Sequence, residues 1–256
     1  MELKDYFLIL DIGNSKLKAA IYSNNEEIEV FSIKTGSISK IFFNKILKKF
    51  KVKKCFIGSV VPNATIQVKN ILKSFNLYIK EIKPKDFINV LDLNKINEKI
   101  NKIGVDLLGF SYFLKNKWKK SIGFCFGTFS FSIFINNGAL NGAIIFPHIK
   151  DGINSLFKNA ALIDAFNLNN YDHSFIDFGK NTYESIISGA NHFYIGSLVN
   201  FINYFYLKNK TVNYCITGGD KTRVTMLKKI ISNKKIKINV IDNAVIKGYA
   251  KLILTF

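Results

Sequence analysis

An apolar run in this 256-residue chain ends on a carboxylate and a glycine and turns back at once: Leu8 to Tyr22 reads LILDIGNSKLKAAIY. A tight strand–turn–strand of this kind gathers successive backbone N–H groups around a small concavity suited to phosphate oxygens. Gly13 permits close approach because no Cβ intervenes. Asn14 and Ser15 add side-chain donors, while Lys16 and Lys18 bring charge to one face of the returning strand. Ile12 and Leu17 flank the turn. Asp11, at the strand end, is placed to hold Mg²⁺ directly or through water. An ordinary surface hairpin shares all these features, so this stretch alone does not decide.

A second carboxylate invites a chemical reading. Asp106 stands two residues after Gly104, where the helical segment VDLLGFSYFLKNKW (Val105 to Trp118) opens. Moving a phosphoryl group onto a primary alcohol requires an in-line hydroxyl and an acceptor for its proton. A carboxylate in the first turn is also favoured by the helix dipole, which is reason enough for an acid there.

Strand and helix patterns alternate around these residues. Strands are expected over Phe7–Asp11, Leu17–Tyr22, Ile28–Ile33, Lys54–Ser59 and Leu77–Ile82, with helical spacing in SKIFFNKILKKF and ATIQVKNILKSF. In the second half strands are expected over Ser121–Phe126, Phe129–Ile135, Gly142–Phe146, Val212–Thr217 and Ile236–Ile241. A helical tract runs from Thr182 to about Leu207, and the weak helix formers Gly189 and Gly196 inside it point to close packing against a neighbour. Placing Asp11 over Cys125 aligns DIGNSKLKAAI with CFGTFSFSIFI, so the halves echo each other. A duplicated unit opening on a glycine-turned hairpin predicts an α/β protein of two similar lobes of mixed sheet plus helices, residues 1–117 and 118–256, around a cleft.

Composition narrows the class. With 48% hydrophobic residues the chain can bury a sizeable core. Its longest apolar runs fall short of the ~20 residues of a membrane helix, and its acidic N-terminus does not read as a signal peptide; a cytoplasmic protein without a membrane partner is expected. Cys55, Cys125 and Cys215 are odd in number and far apart, and read as reduced core residues. The net charge of +19 invites a nucleic-acid reading, yet Arg223 is the sole arginine. Nucleic-acid surfaces recruit arginine for bidentate contacts, so scattered solvated lysines that attract an anionic small molecule are the better account.

Several further stretches occur in order after DIGNSKLK: IGSVVP (Ile57–Pro62), GVD (Gly104–Asp106), FGT (Phe126–Thr128), GAIIFP (Gly142–Pro147), FGKNTYESIISGA (Phe178–Ala190) and TGGD (Thr217–Asp220). The paired hairpins resemble the actin, sugar-kinase and Hsp70 superfamily, in which two ribonuclease-H-like lobes enclose ATP. The full ordered series resembles the type III pantothenate kinases along nearly the whole chain. That resemblance implies phosphorylation of pantothenate by ATP to 4'-phosphopantothenate, the first committed step towards coenzyme A. It implies ATP binding on Asp11–Lys18 and at Thr128, a substrate loop over Gly104, Val105, Asp106 and Leu107 with Asp106 as catalytic base, and a pantothenate contact at Thr182. TGGD would lie on the nucleotide side. It further implies a homodimer whose partner completes the pantothenate site, and a monovalent cation, potassium or ammonium.

The chain departs from the family pattern at four places. Leu107 stands where the family has arginine, Cys125 where it has the cation-binding aspartate, and Asn97 where tyrosine is common. The family's GG…PG appears as Gly142-Ala143 and Pro147-His148. A thiol is a soft, poor ligand for potassium, which puts the cation dependence in question. A second reading is thereby open, a catalytically impaired relative that binds nucleotide or regulates. Asp11, Asp106, Thr128 and Thr182 all survive, which favours the kinase.

Overall fold

The computed structural model describes residues 6–127, 130–160, 163, 172, 177–219 and 236–256. They form two compact units, one of residues up to Lys119 with Ile133–Gly142 and Asn243–Phe256, the other of Lys120–Ser132 and Ala143–Asp242.

The first unit is built on β1 (Tyr6–Ile12), β2 (Lys16–Ser23), β3 (Glu26–Lys34), β4 (Val52–Ser59) and β5 (Tyr78–Glu81). Their order is β3-β2-β1-β4-β5. The first three strands form an antiparallel meander, and β4 and β5 run parallel to β1 and to each other. The β2–β3 turn uses Asn24 and Asn25 at φ 50° and 66°, the left-handed pair that matches the twist of a two-residue hairpin.

Strand alternation decides what each face carries. Leu8, Leu10 and Ile12 join Leu17, Ala19, Ile21, Cys55 and Ile57 in one apolar layer. Helices α1 (Lys40–Lys49) and α2 (Pro62–Lys73) cover that layer with Phe43, Ile46, Ala64, Val68 and Leu72. Pro62 opens α2 at its first position, where its missing N–H costs nothing. The intervening residues of β1, including Asp11, therefore point to the opposite face. A one-residue slip would bury Asp11 in the apolar layer, so the hydrophobic pattern fixes where this carboxylate points.

That opposite face receives α3 (Val105–Lys117) and the C-terminal helix, which pack against each other and reach β4 and β1 respectively. The C-terminal helix spans Ala244–Ile253; it follows the second unit in sequence and packs with the first.

A second sheet contains β6 (Lys120–Phe126), β7 (Ser130–Asn136), β8 (Ala139–Phe146), β9 (Asn213–Gly218) and β10 (Ile238–Val240) in the order β10-β9-β6-β7-β8. Reading that order from β8 reproduces the first sheet strand for strand, so the duplication seen in the sequence is a duplication of fold. β9 runs parallel to β6, and β10 to β9. Helices α4 (Ile149–Asn159) and α5 (Thr182–Lys208) share a small core of Ile149, Ile153 and Ile187. Phe201 of α5 meets Phe124 of β6 edge-on at 5.5 Å. The C-terminal helix is the sixth among the described residues and is labelled α6. All ten strands lie where the apolar runs predicted them, with ends moved by at most three residues.

Candidate active site

The hairpin between β1 and β2 is braced from inside. Gly13 N–H donates to the Lys16 carbonyl at 3.0 Å, Thr35 N–H to the Ser15 carbonyl at 3.0 Å, and the Thr35 hydroxyl to the Gly13 carbonyl at 2.7 Å. Three carbonyl oxygens of the turn are thus engaged within the protein, while Asn14, Ser15 and Lys16 are exposed. A Cβ at Gly13 would meet nothing nearer than the Lys16 carbonyl at 3.5 Å, an ordinary contact. The fold itself does not require glycine there, whereas a phosphate seated on the turn would.

Asp11 is the last but one residue of β1, paired in register with Lys18 on one side and with Gly58 on the other. Its side chain keeps some solvent access, yet desolvation by the packed surroundings pushes its pKa up to about 7. The negative charge of Asp106 adds to that rise and Lys18 opposes it. Strand pairing and helix packing therefore bring two carboxylates within electrostatic reach, with one lysine beside them.

Asp106 occupies the second position of α3. Its Oδ1 accepts from the Leu107 N–H at 2.8 Å. Burial raises its pKa, and the amides of Leu107 and of Asp106 itself pull it down. A Cβ at Gly104 would stand 2.5 Å from that same Oδ1, so the Gly-x-Asp spacing has a steric cause: only glycine lets the carboxylate fold back over the helix start. Val105 is buried and anchors the turn, and Leu107 contributes its backbone N–H. Its half-buried side chain brings no charge.

Lys18 is itself held. Its Nζ donates to Asn243 Oδ1 at 3.2 Å, and Asn243 Nδ2 donates to Glu27 Oε1 at 3.3 Å. Asn243 sits at φ 55°, ψ 32° as the N-cap of α6, a left-handed conformation asparagine tolerates. Sequence reasoning missed both this tie and Thr35. The Asp-Asn pair ahead of an apolar helix was the available signal for Asn243.

In the second unit Cys125 pairs with Thr217 of β9 and is half-buried. Thr128 and Asp220 lie outside the described residues. Gly218, at φ 122°, ends β9 where a Cβ would overlap the Phe126 carbonyl, and Gly219 N–H donates to that carbonyl at 3.0 Å. Thr182 is the first residue of α5 and exposed; the cap is Asn181, which accepts from the Glu184 N–H at 2.9 Å. The threonine hydroxyl is therefore not consumed by capping. Gly189 and Gly196, expected to pack closely, stand in open space: a Cβ at either would meet nothing within 4 Å outside its own turn of helix. The tight helical glycines among the described residues are instead Gly109, Gly152 and Gly248, on α3, α4 and α6.

Among the described residues no group of three or more His, Cys, Asp or Glu is arranged to hold a metal. The Asp11–Asp106 pair nonetheless suits a hydrated divalent cation, which needs only one or two protein carboxylates and takes the rest from water and phosphate. A half-buried carboxylate whose proton affinity a second carboxylate raises and a lysine opposes is the donor set such an ion would neutralise.

A family model described as type III pantothenate kinase matches residues 7–204. A type III pantothenate kinase of Malacoplasma penetrans is 30% identical over 262 residues, covering 97% of this chain and 96% of that one. Another, of Mycoplasmopsis synoviae, is 29% identical over 254 residues, covering 96% and 95%. Among solved structures, MreB5 of Spiroplasma citri bound to ADP is similar with a TM-score of 0.50 at 10% identity, covering 98% and 97%. That likeness is one of fold, the actin-like ATPase architecture.

Proposed function

The chain belongs to the type III pantothenate kinase family, and from that premise we propose that Asp11 and Asp106 form the centre at which ATP phosphorylates pantothenate to 4'-phosphopantothenate, the first step of coenzyme A biosynthesis. The observation that carries this reading is that half-buried Asp11 lies within electrostatic reach of Asp106 and of Lys18. The hairpin Asp11–Lys18 receives the phosphates of ATP, with Asn14, Ser15 and Lys16 exposed to contact them. Asp106 accepts the proton of the pantothenate hydroxyl as the oxygen attacks the γ-phosphorus. Its Oδ1 is pinned by the Leu107 amide, so the carboxylate has one orientation. Lys18, held by Asn243, balances negative charge beside Asp11. Mg²⁺, held by Asp11, would neutralise charge on the phosphate oxygens. Thr128 is assigned to the nucleotide, and Gly104, Val105, Leu107 and Thr182 to pantothenate.

The protein is taken to work in the cytoplasm, which suits its three cysteines, none of them in a disulfide. No described helix is long and apolar enough to cross a membrane. The Cys125 thiol is assigned to the position of the family's monovalent cation, whose ligand it replaces poorly.

A homodimer is supported by α5. From Ser185 to Leu207 this helix carries no Lys, Arg, Asp or Glu in a chain of net charge +19. On one of its faces Thr182, Ser185, Gly189, Phe193, Gly196 and Leu207 are exposed, with Phe193 at 69% and Leu207 at 76%. Small residues between bulky ones let a second copy approach closely, and an uncharged face costs little to desolvate. The double variant Phe193→Asp/Gly196→Arg should sediment as a monomer where the unmodified protein sediments as a dimer. A monomeric unmodified protein, or a variant that stays dimeric, would remove this assignment.

The activity itself is tested by ADP release from Mg-ATP with purified protein, with and without pantothenate and potassium. Release should depend on pantothenate and respond little to potassium. Folded protein that releases no ADP in response to pantothenate under any cation condition overturns the kinase. Strong potassium activation overturns only the reading of Cys125.

A further inference from the structure

Helix α6 lies beyond the part of the chain that the family model matches, and one of its side chains touches the framework of both proposed active-site aspartates. Tyr249 is fully buried. A Cβ at Gly109 would stand 2.5 Å from its Cε1 and 2.9 Å from its Cδ1. A Cβ at Gly58 would overlap the other edge of the ring, at Cε2 and Cζ. The phenol thus fills the gap between two glycines edge to edge, with no room for a methyl group at either side.

The two glycines mark the two carboxylates. Gly58 is the residue of β4 paired in register with Asp11. Gly109 follows Asp106 by three positions on α3, which puts the two residues on one face of that helix. The width of the ring therefore sets how far α3 stands from the sheet at the level of Asp11. The same helix also closes directly on the α3 backbone, since a Cβ at Gly248 would overlap the Gly109 carbonyl. We propose that Tyr249 is a positioning residue for phosphoryl transfer, a spacer whose ring fixes the distance between the Asp11 strand and the Asp106 helix. It touches neither substrate. Its contribution is the geometry in which a carboxylate on each element can serve one phosphoryl group, and a displacement of about 1 Å far from the chemistry can cost roughly a hundredfold in rate.

This inference rests on the kinase reading of Asp11 and Asp106, and the two are tested apart. Pantothenate-dependent turnover of the unmodified protein tests the reading; the ratio of variant to unmodified turnover tests the spacer. Tyr249→Leu should lower kcat about a hundredfold with KM for both substrates little changed, in protein that still melts cooperatively. Gly109→Ala, which pushes the helix the other way, should give the same split. Tyr249→Phe, which keeps the ring, should restore most of the turnover, and the half-saturating Mg²⁺ concentration should rise in the first two variants alone. If Tyr249→Leu does not fold, Tyr249→Met, whose unbranched flexible chain also lacks the flat ring, carries the same test. A folded Tyr249→Leu or Tyr249→Met protein with kcat near that of the unmodified enzyme overturns the proposal. So does a variant whose melting point falls while kcat per folded molecule holds, because that is what a purely structural residue would do.

Discussion

Asp106→Asn is expected to lower turnover of pantothenate about 10²–10⁴-fold, the range spanned by loss of a positioned general base. Asparagine keeps an oxygen that can accept the Leu107 N–H, now at 2.8 Å from Asp106 Oδ1, so the helix start is preserved and the loss falls on proton transfer. The substitution also removes the negative charge that raises the proton affinity of Asp11. Asp11 should then titrate lower than about 7. Two measurements follow, kcat with saturating substrates and the pH dependence of the melting temperature without ligand. A kcat within a few-fold of the unmodified enzyme would show that Asp106 is only a helix-start acid.

Asp11→Asn should have two opposed effects. Turnover should fall by about a thousandfold, the scale seen when a preorganised electrostatic partner of the transferring group is lost. The ligand-free protein should become more stable above pH 7. The pKa of Asp11 rises from 3.8 to about 7 on folding, so between those values the folded state holds a proton that the unfolded chain has released. Stability therefore falls as pH rises from about 4 to about 7, by up to roughly 4 kcal/mol at 1.36 kcal/mol per pH unit, and stays lower beyond. Asparagine carries no such penalty. Its melting temperature should exceed that of the unmodified protein at pH 8, converge with it towards pH 4, and gain less from added Mg²⁺. An Asp11→Asn protein that melts lower at pH 8 would mean that Asp11 is ionised and well paired without metal.

Much of this arrangement was legible before any coordinates. Short apolar runs such as Phe7–Asp11 and Leu17–Tyr22 fixed the strands, each with one face in the apolar layer of α1 and α2, and the pleat then dictates which residues face away. The hairpin and the Gly-x-Asp turn were legible for the same reason, since both depend on contacts only a few residues apart. What was not legible depends on contacts distant in sequence. Asn243 reaches Lys18 across 225 positions, and nothing local announces such a bond. The glycines of the helices show the limit most clearly. Gly189 and Gly196 stand out in their tract because glycine weakens a helix, yet their side of α5 is open. Gly109 and Gly248 are equally unfavourable in α3 and α6, but which glycine meets a backbone is settled by packing. Leu107 and Cys125 broke the expected pattern; at position 107 the change keeps the backbone N–H that holds Asp106, which any residue but proline would provide, and loses the charge.

The return of α6 to the first unit has a consequence for how the protein is made. Residues 1–119 supply every strand of the first sheet, but the face that bears Asp11 is not closed until Ala244–Ile253 have been synthesised. At the usual rate of about 5–20 residues per second, roughly ten seconds pass between the emergence of α3 and that of α6. Throughout that interval the nascent chain presents the uncovered flank of a β-sheet, with Gly58 and Gly109 bare and Lys18 without Asn243. The enzyme cannot mature from its beginning onwards. Helix α6 is the latch, and a chain cut ahead of Ala244 should leave this face of the first unit open.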